Sequence, residues 1–293
     1  MNASRPTIGV FDSGFGGLTV LKALLEVIPA ANYAYFGDTA RLPYGSKSVE
    51  TVARYAVEAA HFLEQQGAQL LVIACNTATA LALDRICTAA HVPVVGVVEP
   101  GAEAAAETTK NRKIVVIGTE ATVSSHAYFK ALEKRNLQAR EKACPLLVPL
   151  VEEGWIEHAV TEQVAKIYLA EAFADGFHDA DTMVLGCTHY PLLKPLLRRV
   201  APDHVSIVDS AESTARAVSD HFKELLPSKE DHPGEHFGDH RGVPHVSPML
   251  RDMGIPAPHL KFFATDSTEK FRRLGQRFLG LPIENVEHVD LKE

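Results

Sequence analysis

Short runs of β-branched and other apolar residues alternate with longer stretches of helical periodicity from residue 7 to residue 209. The strands that these apolar runs predict are TIGVFD (7–12), ANYAYFGD (31–38), LLVIA (70–74), VPVVGVV (92–98), KIVVIG (113–118), ACPLLVP (143–149), TMVLG (182–186) and VSIVD (205–209). Helical periodicity extends, for example, from Leu18 to Val27 and from Val49 to Gln66. This βαβα order is typical of α/β proteins in which helices cover parallel sheets.

The pattern restarts near residue 113, and one segment of each half matches a segment of the other. LVIACNTAT and MVLGCTHYP share an apolar strand, a small residue, a cysteine, and then Asn or Thr. IGVFDSG aligns more loosely with IVVIGTEAT. We therefore predict two pseudo-symmetric α/β domains with parallel sheets and an active site in the cleft between them, beyond the carboxyl ends of the strands.

The chain after Ser210 does not continue this pattern. A helix is predicted over about 212–226, a Gly-, Pro- and His-rich loop over about 228–260, and a second helix near 269–279. We expect this tail to return and pack on the first half. The predicted domains are then residues 1–98 plus 211–293, which form a discontinuous unit, and residues 99–210.

The loop contains four closely spaced histidines: His232, His236, His240 and His245. The spacing of the first three would place metal ligands on one face of a helix, but the prolines and glycines between them disfavour a helix. The sequence therefore favours a loop, and we predict no metal site.

Composition narrows the classes of function. Of 293 residues, 46% are hydrophobic and 23% charged, which suits a soluble globular protein with a substantial core. The net charge of −8 argues against direct nucleic-acid binding. The apolar runs are too short for a membrane helix or for the core of a signal peptide, so we expect a cytoplasmic protein with no membrane contact. In that compartment four cysteines without a CxxC pair are expected to be free thiols.

Two of these cysteines, Cys75 and Cys187, stand where a predicted strand ends and a helix begins. Free amides and the helix dipole favour a thiolate there. Cys87 and Cys144 fit the commoner role of a small core residue. Two thiols facing each other across a cleft suit inversion of a carbon with an acidic C–H, because one can remove a proton while the other delivers one. A thiol pKa of about 8.5 allows both roles.

Acids and a histidine lie beside the thiols in the sequence. Asp12 ends the first strand in FDSGFGG, which lacks the third glycine of a dinucleotide fingerprint. We predict that Asp12 lies near Cys75 and handles a proton or the substrate ammonium, although a turn-capping role competes. His189 could orient Cys187 or cap a helix. Glu152 follows the predicted strand 143–149 and alone would more often be a surface acid.

Short polar residues at other strand ends and loops are candidates for substrate binding. Such side chains and the backbone of a Gly-rich turn can hold carboxylate and amine groups, although the same residues are ordinary helix caps. The predicted binding residues are Asp12, Ser13, Tyr44, Gly45, Ser46, Asn76, Thr77, Thr119, Thr188 and His189.

Six segments, GVFDSGFGGLTVL, YFGDTARLPYGSKS, VIACNTATA, GVVEPGA, VIGTEATVSS and VLGCTHYPLL, resemble the glutamate racemases of the cofactor-independent aspartate/glutamate racemase superfamily. The resemblance implies interconversion of L- and D-glutamate by two bases, without pyridoxal phosphate or metal. It makes Cys75 and Cys187 the catalytic thiols, with Asp12, His189 and Glu152 assisting. It also implies a homodimer that supplies D-glutamate for peptidoglycan synthesis, and it leads us to expect that Cys75 deprotonates the D-enantiomer.

Several alternatives remain open at this stage. A sister racemase acting on aspartate or a hydantoin would use the same chemistry with a different side-chain pocket. A non-catalytic protein could bind an amino acid or a macromolecular partner, as some glutamate racemases are thought to bind DNA gyrase. A redox protein could use Cys75 and Cys187 as a disulfide pair.

The chain begins a few residues before its first strand, so we expect no activation of the kind that depends on a longer N-terminal extension.

Overall fold

The computed structural model describes residues 5–225 and 257–291. In these ranges the strands are β1 (Thr7–Asp12), β2 (Asn32–Gly37), β3 (Ala68–Ile73), β4 (Val94–Gly96), β5 (Lys113–Gly118), β6 (Gln138–Ala143), β7 (Thr182–Gly186), β8 (Ser206–Asp209), β9 (Leu260–Ala264) and β10 (Glu287–His288). The α-helices are α1 (Leu18–Val27), α2 (Val49–Gln65), α3 (Asn76–Ala89), α4 (Val98–Thr108), α5 (Glu120–Ser124), α6 (Ala127–Glu133), α7 (Leu147–Glu152), α8 (Ala159–Ala172), α9 (Lys194–Val200), α10 (Ser210–Leu225) and α11 (Thr268–Leu279). None of these helices is long and apolar enough to cross a membrane.

The strands form two parallel sheets with the same internal order. The first sheet runs β10-β9-β2-β1-β3-β4 and the second β6-β5-β7-β8. The order β2-β1-β3-β4 in the first sheet is therefore repeated by β6-β5-β7-β8 in the second. The predicted pair of pseudo-symmetric parallel α/β units is confirmed. In each unit the third strand of the repeat, β3 or β7, runs directly towards one of the two matched cysteines.

The central strands are apolar because both faces of each sheet are covered. Residues 114 to 117 of β5 are all fully buried, as are Ile8 and Val10 of β1. Helix α2 shows how the covering helices form. The Ser48 side chain accepts the amide N–H of Thr51 and caps the helix, and buried residues then recur at helical spacing from Val52 to Leu63.

The C-terminal tail extends the first sheet. Strand β9 pairs in parallel with β2, where Phe262 lies opposite Tyr35, and β10 pairs with β9. Helix α11 buries Phe271, whose ring centre lies 5.7 Å from that of Phe15 and 5.8 Å from that of Tyr35. The described part of the tail thus packs against elements of the first half. The domain boundaries given above stay a prediction.

Two of the strand predictions were wrong in position or length. The strand predicted over 143–149 is β6 at Gln138–Ala143; a turn follows it, and α7 begins at Leu147 within the predicted strand. The sequence QAREKA lacks an apolar run because β6 is the half-exposed edge of its sheet and pairs only with β5. The strand predicted over 92–98 is reduced to β4, and α4 begins at Val98. The loop histidines, His232 to His245, lie outside the described residues.

Candidate active site

A cavity of about 530 Å³ is lined by residues of both halves. The segments that follow β1, β3, β5 and β7 contribute to its wall, together with the loop after β2, helix α7 and helix α11. The predicted site residues that line it are Ser13, Tyr44, Gly45, Ser46, Cys75, Asn76, Thr77, Thr119, Glu152, Cys187, Thr188 and His189. Asp12 is fully buried behind this wall.

Cys75 is the residue that precedes α3, and its side chain caps that helix. Its Sγ accepts the amide N–H of Ala78 at 3.4 Å and lies 3.4 Å from the Oγ of Ser13. Burial and the charge of Asp12 raise the pKa of the Cys75 thiol to about 12, although the hydrogen bonds from Ser13 and Ala78 act in the opposite direction. At neutral pH this environment keeps the proton on Cys75.

Asp12 connects the first strand to the second half of the site. Its carboxylate accepts the amide N–H of Gly14 at 2.9 Å and the hydroxyl of Thr188 at 3.4 Å. Burial raises the pKa of Asp12, against the lowering effect of the His189 charge and these hydrogen bonds. The turn that follows needs glycine at position 16, since a Cβ there would lie 2.7 Å from His189 Nδ1. The Gly-rich turn therefore serves close packing between the halves.

Cys187 lies beside a histidine that is itself paired with an acid. The Cys187 Sγ is 4.0 Å from His189 Nδ1, and His189 Nε2 is 3.2 Å from Glu152 Oε1. Burial by itself would lower the pKa of His189, but hydrogen bonds to Cys187 and Glu152 and the charges of Cys187 and Asp12 outweigh it and raise that pKa to about 10. The imidazole is therefore a cation at neutral pH, placed between a sulfur and a carboxylate.

Helix α11 adds a cation that the sequence analysis did not identify. Lys270 lines the cavity, and its Nζ lies 5.8 Å from the centre of the Phe15 ring. Burial alone would raise the pKa of Glu152. The hydrogen bond and charge of His189 and the charge of Lys270 outweigh burial, and the pKa is lowered. Glu152 is thus a carboxylate at neutral pH. Other lining residues that were not predicted are Thr39, Leu42, Pro43, Glu120, Pro145, Val148 and Pro149.

Asn76 and three threonines form a polar wall at the junction of the halves. The hydroxyl of Tyr128 donates to Asn76 Oδ1 at 2.7 Å, whereas the buried Asn76 Nδ2 has no hydrogen-bond partner among the described residues. Thr77 Oγ1 lies 3.0 Å from Thr119 Oγ1 and 3.3 Å from Thr122 Oγ1. These short side chains present hydrogen-bond donors and acceptors suited to a small polar ligand.

The loop after β2 is held by one buried acid. Asp38 is fully buried, and it accepts hydrogen bonds from the hydroxyls of Tyr44 at 2.5 Å and Thr265 at 2.8 Å, and from Arg41 Nε at 3.0 Å. Thr265 directly follows β9, so the tail helps to fix this loop. Gly45 packs on the second half, because a Cβ there would lie 3.0 Å from the Cβ of Thr119. The loop closes one side of the cavity.

The arrangement suits proton transfer by protein side chains. All four cysteines are free thiols, and those of the cavity approach it from equivalent strand ends of the two sheets. In the part of the chain that the structure describes, no three His, Cys, Asp or Glu side chains are grouped as ligands for a metal ion.

Comparison with known proteins identifies the family. The model of the Asp/Glu/Hydantoin racemase family matches residues 8–218. A curated glutamate racemase of Koribacter versatilis is 59% identical to this chain over 99% of each. Two solved structures each cover 98% of this chain and 98% of their own, with a TM-score of 0.81. They are a glutamate racemase from Bacillus anthracis, 37% identical, and one from Francisella tularensis in complex with D-glutamate, 32% identical. The chain therefore belongs to the Asp/Glu/Hydantoin racemase family, and within it to the glutamate racemases.

Proposed function

We propose that this protein interconverts L- and D-glutamate by proton transfer at Cα, with Cys75 and Cys187 as the two proton carriers. The observation that carries the proposal is that two buried thiols, each following the equivalent strand of one sheet, line a single cavity. The glutamate racemase relatives support glutamate as the substrate.

The surroundings of the two thiols differ in charge before substrate binds. The His189 cation lies beside Cys187, with Nδ1 4.0 Å from Sγ, and we assign Cys187 as the first base on that ground. Burial beside Asp12 keeps the proton on Cys75. The free enzyme then holds a base on one side of the cavity and an acid on the other.

The proton balance of one turnover follows from these states. The Cys187 thiolate takes the proton from Cα, and the electron pair left on Cα delocalises into the α-carboxylate. The Cys75 thiol then donates its proton to the opposite face of Cα. The products are the inverted amino acid, a Cys187 thiol and a Cys75 thiolate, so the reverse reaction starts with Cys75 as the base. That Cys75 deprotonates D-glutamate, and Cys187 therefore L-glutamate, stays an expectation from the family resemblance.

Substrate binding uses donors already present in the wall. The unpartnered Nδ2 of Asn76 can donate to a substrate carboxylate, and a buried donor without a partner costs about 1–3 kcal/mol, which binding would recover. The charge of Lys270 faces the same cavity and attracts an amino acid that carries two carboxylates and a net negative charge. The remaining contacts follow the sequence prediction, with Ser13, Thr77 and Thr188 as hydroxyl partners.

The wider role rests on the family resemblance. We propose that the protein acts as a homodimer and supplies D-glutamate for peptidoglycan synthesis. Analytical ultracentrifugation at micromolar concentration is the direct measurement of the dimer. A monomer that is fully active would contradict this part of the proposal.

Solvent exchange tests the reaction itself. Incubation with L-glutamate in D₂O, without added cofactor, is expected to yield D-glutamate that carries deuterium at Cα. Cys75→Ser and Cys187→Ser are each expected to lose nearly all racemisation, whereas Cys87→Ser, which changes an exposed thiol outside the cavity, retains it. Aspartate and a hydantoin serve as competing substrates. Turnover of either of them without turnover of glutamate would overturn the substrate assignment, and a requirement for pyridoxal phosphate would overturn the mechanism.

A further inference from the structure

Tyr128 joins the second half of the protein to a binding residue of the first. It lies in α6 and is fully buried, and its hydroxyl donates to Asn76 Oδ1 at 2.7 Å. Asn76 begins α3, directly after Cys75, and lines the cavity. The hydrogen bond therefore spans the two halves at a point next to one of the matched thiols.

This hydrogen bond sets the direction of the Asn76 amide. An amide carries its acceptor oxygen and its donor nitrogen on opposite sides, so a fixed Oδ1 also fixes where Nδ2 points. The Tyr128 hydroxyl donates its one proton to Asn76 Oδ1. The buried Asn76 Nδ2 keeps both of its protons for a ligand, since it has no partner in the part of the chain that the structure describes.

The Tyr128 ring is held tightly enough to act in this way. A Cβ at Gly101 would lie 3.1 Å from the Tyr128 hydroxyl, and a Cβ at Gly186 would lie 3.1 Å from Cε2 of the ring. Both distances are closer than ordinary carbon contacts of about 3.5–4.0 Å. The absence of side chains at these two positions of α4 and β7 allows the ring to reach Asn76, and the surrounding backbone restricts its movement.

We infer that Tyr128 is a positioning residue whose hydroxyl holds Asn76 Oδ1 so that Nδ2 points at a carboxylate of the substrate. The inference rests on the proposed binding of glutamate in this cavity. It gives the second half of the protein a direct part in forming the carboxylate site on the first. Tyr128 itself does not line the cavity and does not touch the reacting atoms.

Tyr128→Phe tests the inference because it removes the hydroxyl and keeps the ring. We expect KM for L-glutamate to rise about tenfold, the size of one net hydrogen bond, with a much smaller change in kcat. Tyr33→Phe is the matched control. Its buried hydroxyl donates to the carbonyls of Leu24 at 3.0 Å and Ile28 at 2.7 Å, away from the cavity, so its removal is expected to lower stability without changing KM.

A double-mutant cycle separates positioning from a general loss of structure. In an Asn76→Ala background, Tyr128→Phe is expected to cause no further rise in KM, because the amide that it orients is gone. The same tenfold rise in that background would overturn the inference, as would an unchanged KM in Tyr128→Phe alone.

Glutamate binding measured by calorimetry keeps this test independent of turnover. A tenfold weaker affinity in Tyr128→Phe is expected even if the catalysed reaction differs from the one proposed. Failure of the wild-type protein to racemise glutamate would contradict the proposed function. Equal affinity of the wild-type protein and Tyr128→Phe for glutamate would contradict the role of Tyr128.

Discussion

Replacing Glu152 by Gln is expected to shift the pH dependence of the reaction without changing the shape of the site. Glu152 Oε1 lies 3.2 Å from His189 Nε2, and the side chain is partly buried at the cavity wall. Glutamine has nearly the same size and can still accept a hydrogen bond from the imidazole. The change therefore removes the negative charge that stabilises the His189 cation.

The magnitude follows from the difference between a charged and a neutral acceptor. A hydrogen bond to a charged group contributes about 1.5–3 kcal/mol and a neutral one about 0.5–1.5 kcal/mol, so the loss is about 1–1.5 kcal/mol. At about 1.36 kcal/mol per pH unit, the pKa of His189 is expected to fall by about one unit from its raised value of about 10.

The assay is kcat/KM for the conversion of L-glutamate as a function of pH. If the protonated His189 is required, the variant should match the wild type near pH 7 and be about threefold less active near pH 9.5. Glu153→Gln is the matched control, since Glu153 is the exposed next residue in the chain. An alkaline limb that stays in place, or moves to higher pH, would refute the assignment of His189 as a cation held by Glu152.

Three further predictions concern packing and thiol access. Gly16→Ala is expected to lower kcat and to lower the free energy of unfolding in urea by about 1–3 kcal/mol, because the new Cβ would lie 2.7 Å from His189 Nδ1. Wild-type stability and activity would contradict this packing. Phe271→Ala is expected to destabilise the protein by about 3–5 kcal/mol, measured by urea unfolding, since the fully buried ring packs against Phe15; a loss below about 1 kcal/mol would contradict the tail packing. In a thiol-titration assay of the native protein, exposed Cys87 is expected to react fast, and Cys144, which is buried and does not line the cavity, only slowly; rapid reaction of Cys144 would contradict its burial.

The sequence predicted the central strands well because their burial on both faces requires continuous apolar runs. The predicted strands KIVVIG and TMVLG coincide with β5 and β7. The edge strand β6 could not be found in this way. Its residues Gln138–Ala143 are partly exposed, so their polarity resembles that of a loop, and the apolar PLLVP that follows is equally compatible with a strand or a short buried helix.

The candidate site was predictable where its residues stand directly after strands, and obscure where long-range packing brings them in. Lys270 is one of several basic residues in TEKFRRLGQR, and nothing local distinguishes it from Arg272 or Arg273. It reaches the cavity because α11 packs against the first half through Phe271. Tyr128 resembles any core tyrosine of an amphipathic helix, and its contact with Asn76 joins residues 52 positions apart.

The two halves repeat the same topology but differ in the charged groups beside their thiols. The last residues of β1 and β5 are Asp12 and Gly118, so the first half has a buried acid where the second has none. Two positions after each cysteine stand Thr77 and His189, so the second half has a cation where the first has a hydroxyl. The acid and the burial keep the proton on Cys75, whereas the cation lies beside Cys187. Inversion at Cα needs one thiol as the base and the other as the acid at the same time. Two halves with identical surroundings would give two bases or two acids. The equivalent strands therefore account for the placement of the thiols, and these two departures from symmetry support the proposed order, in which Cys187 acts first as the base.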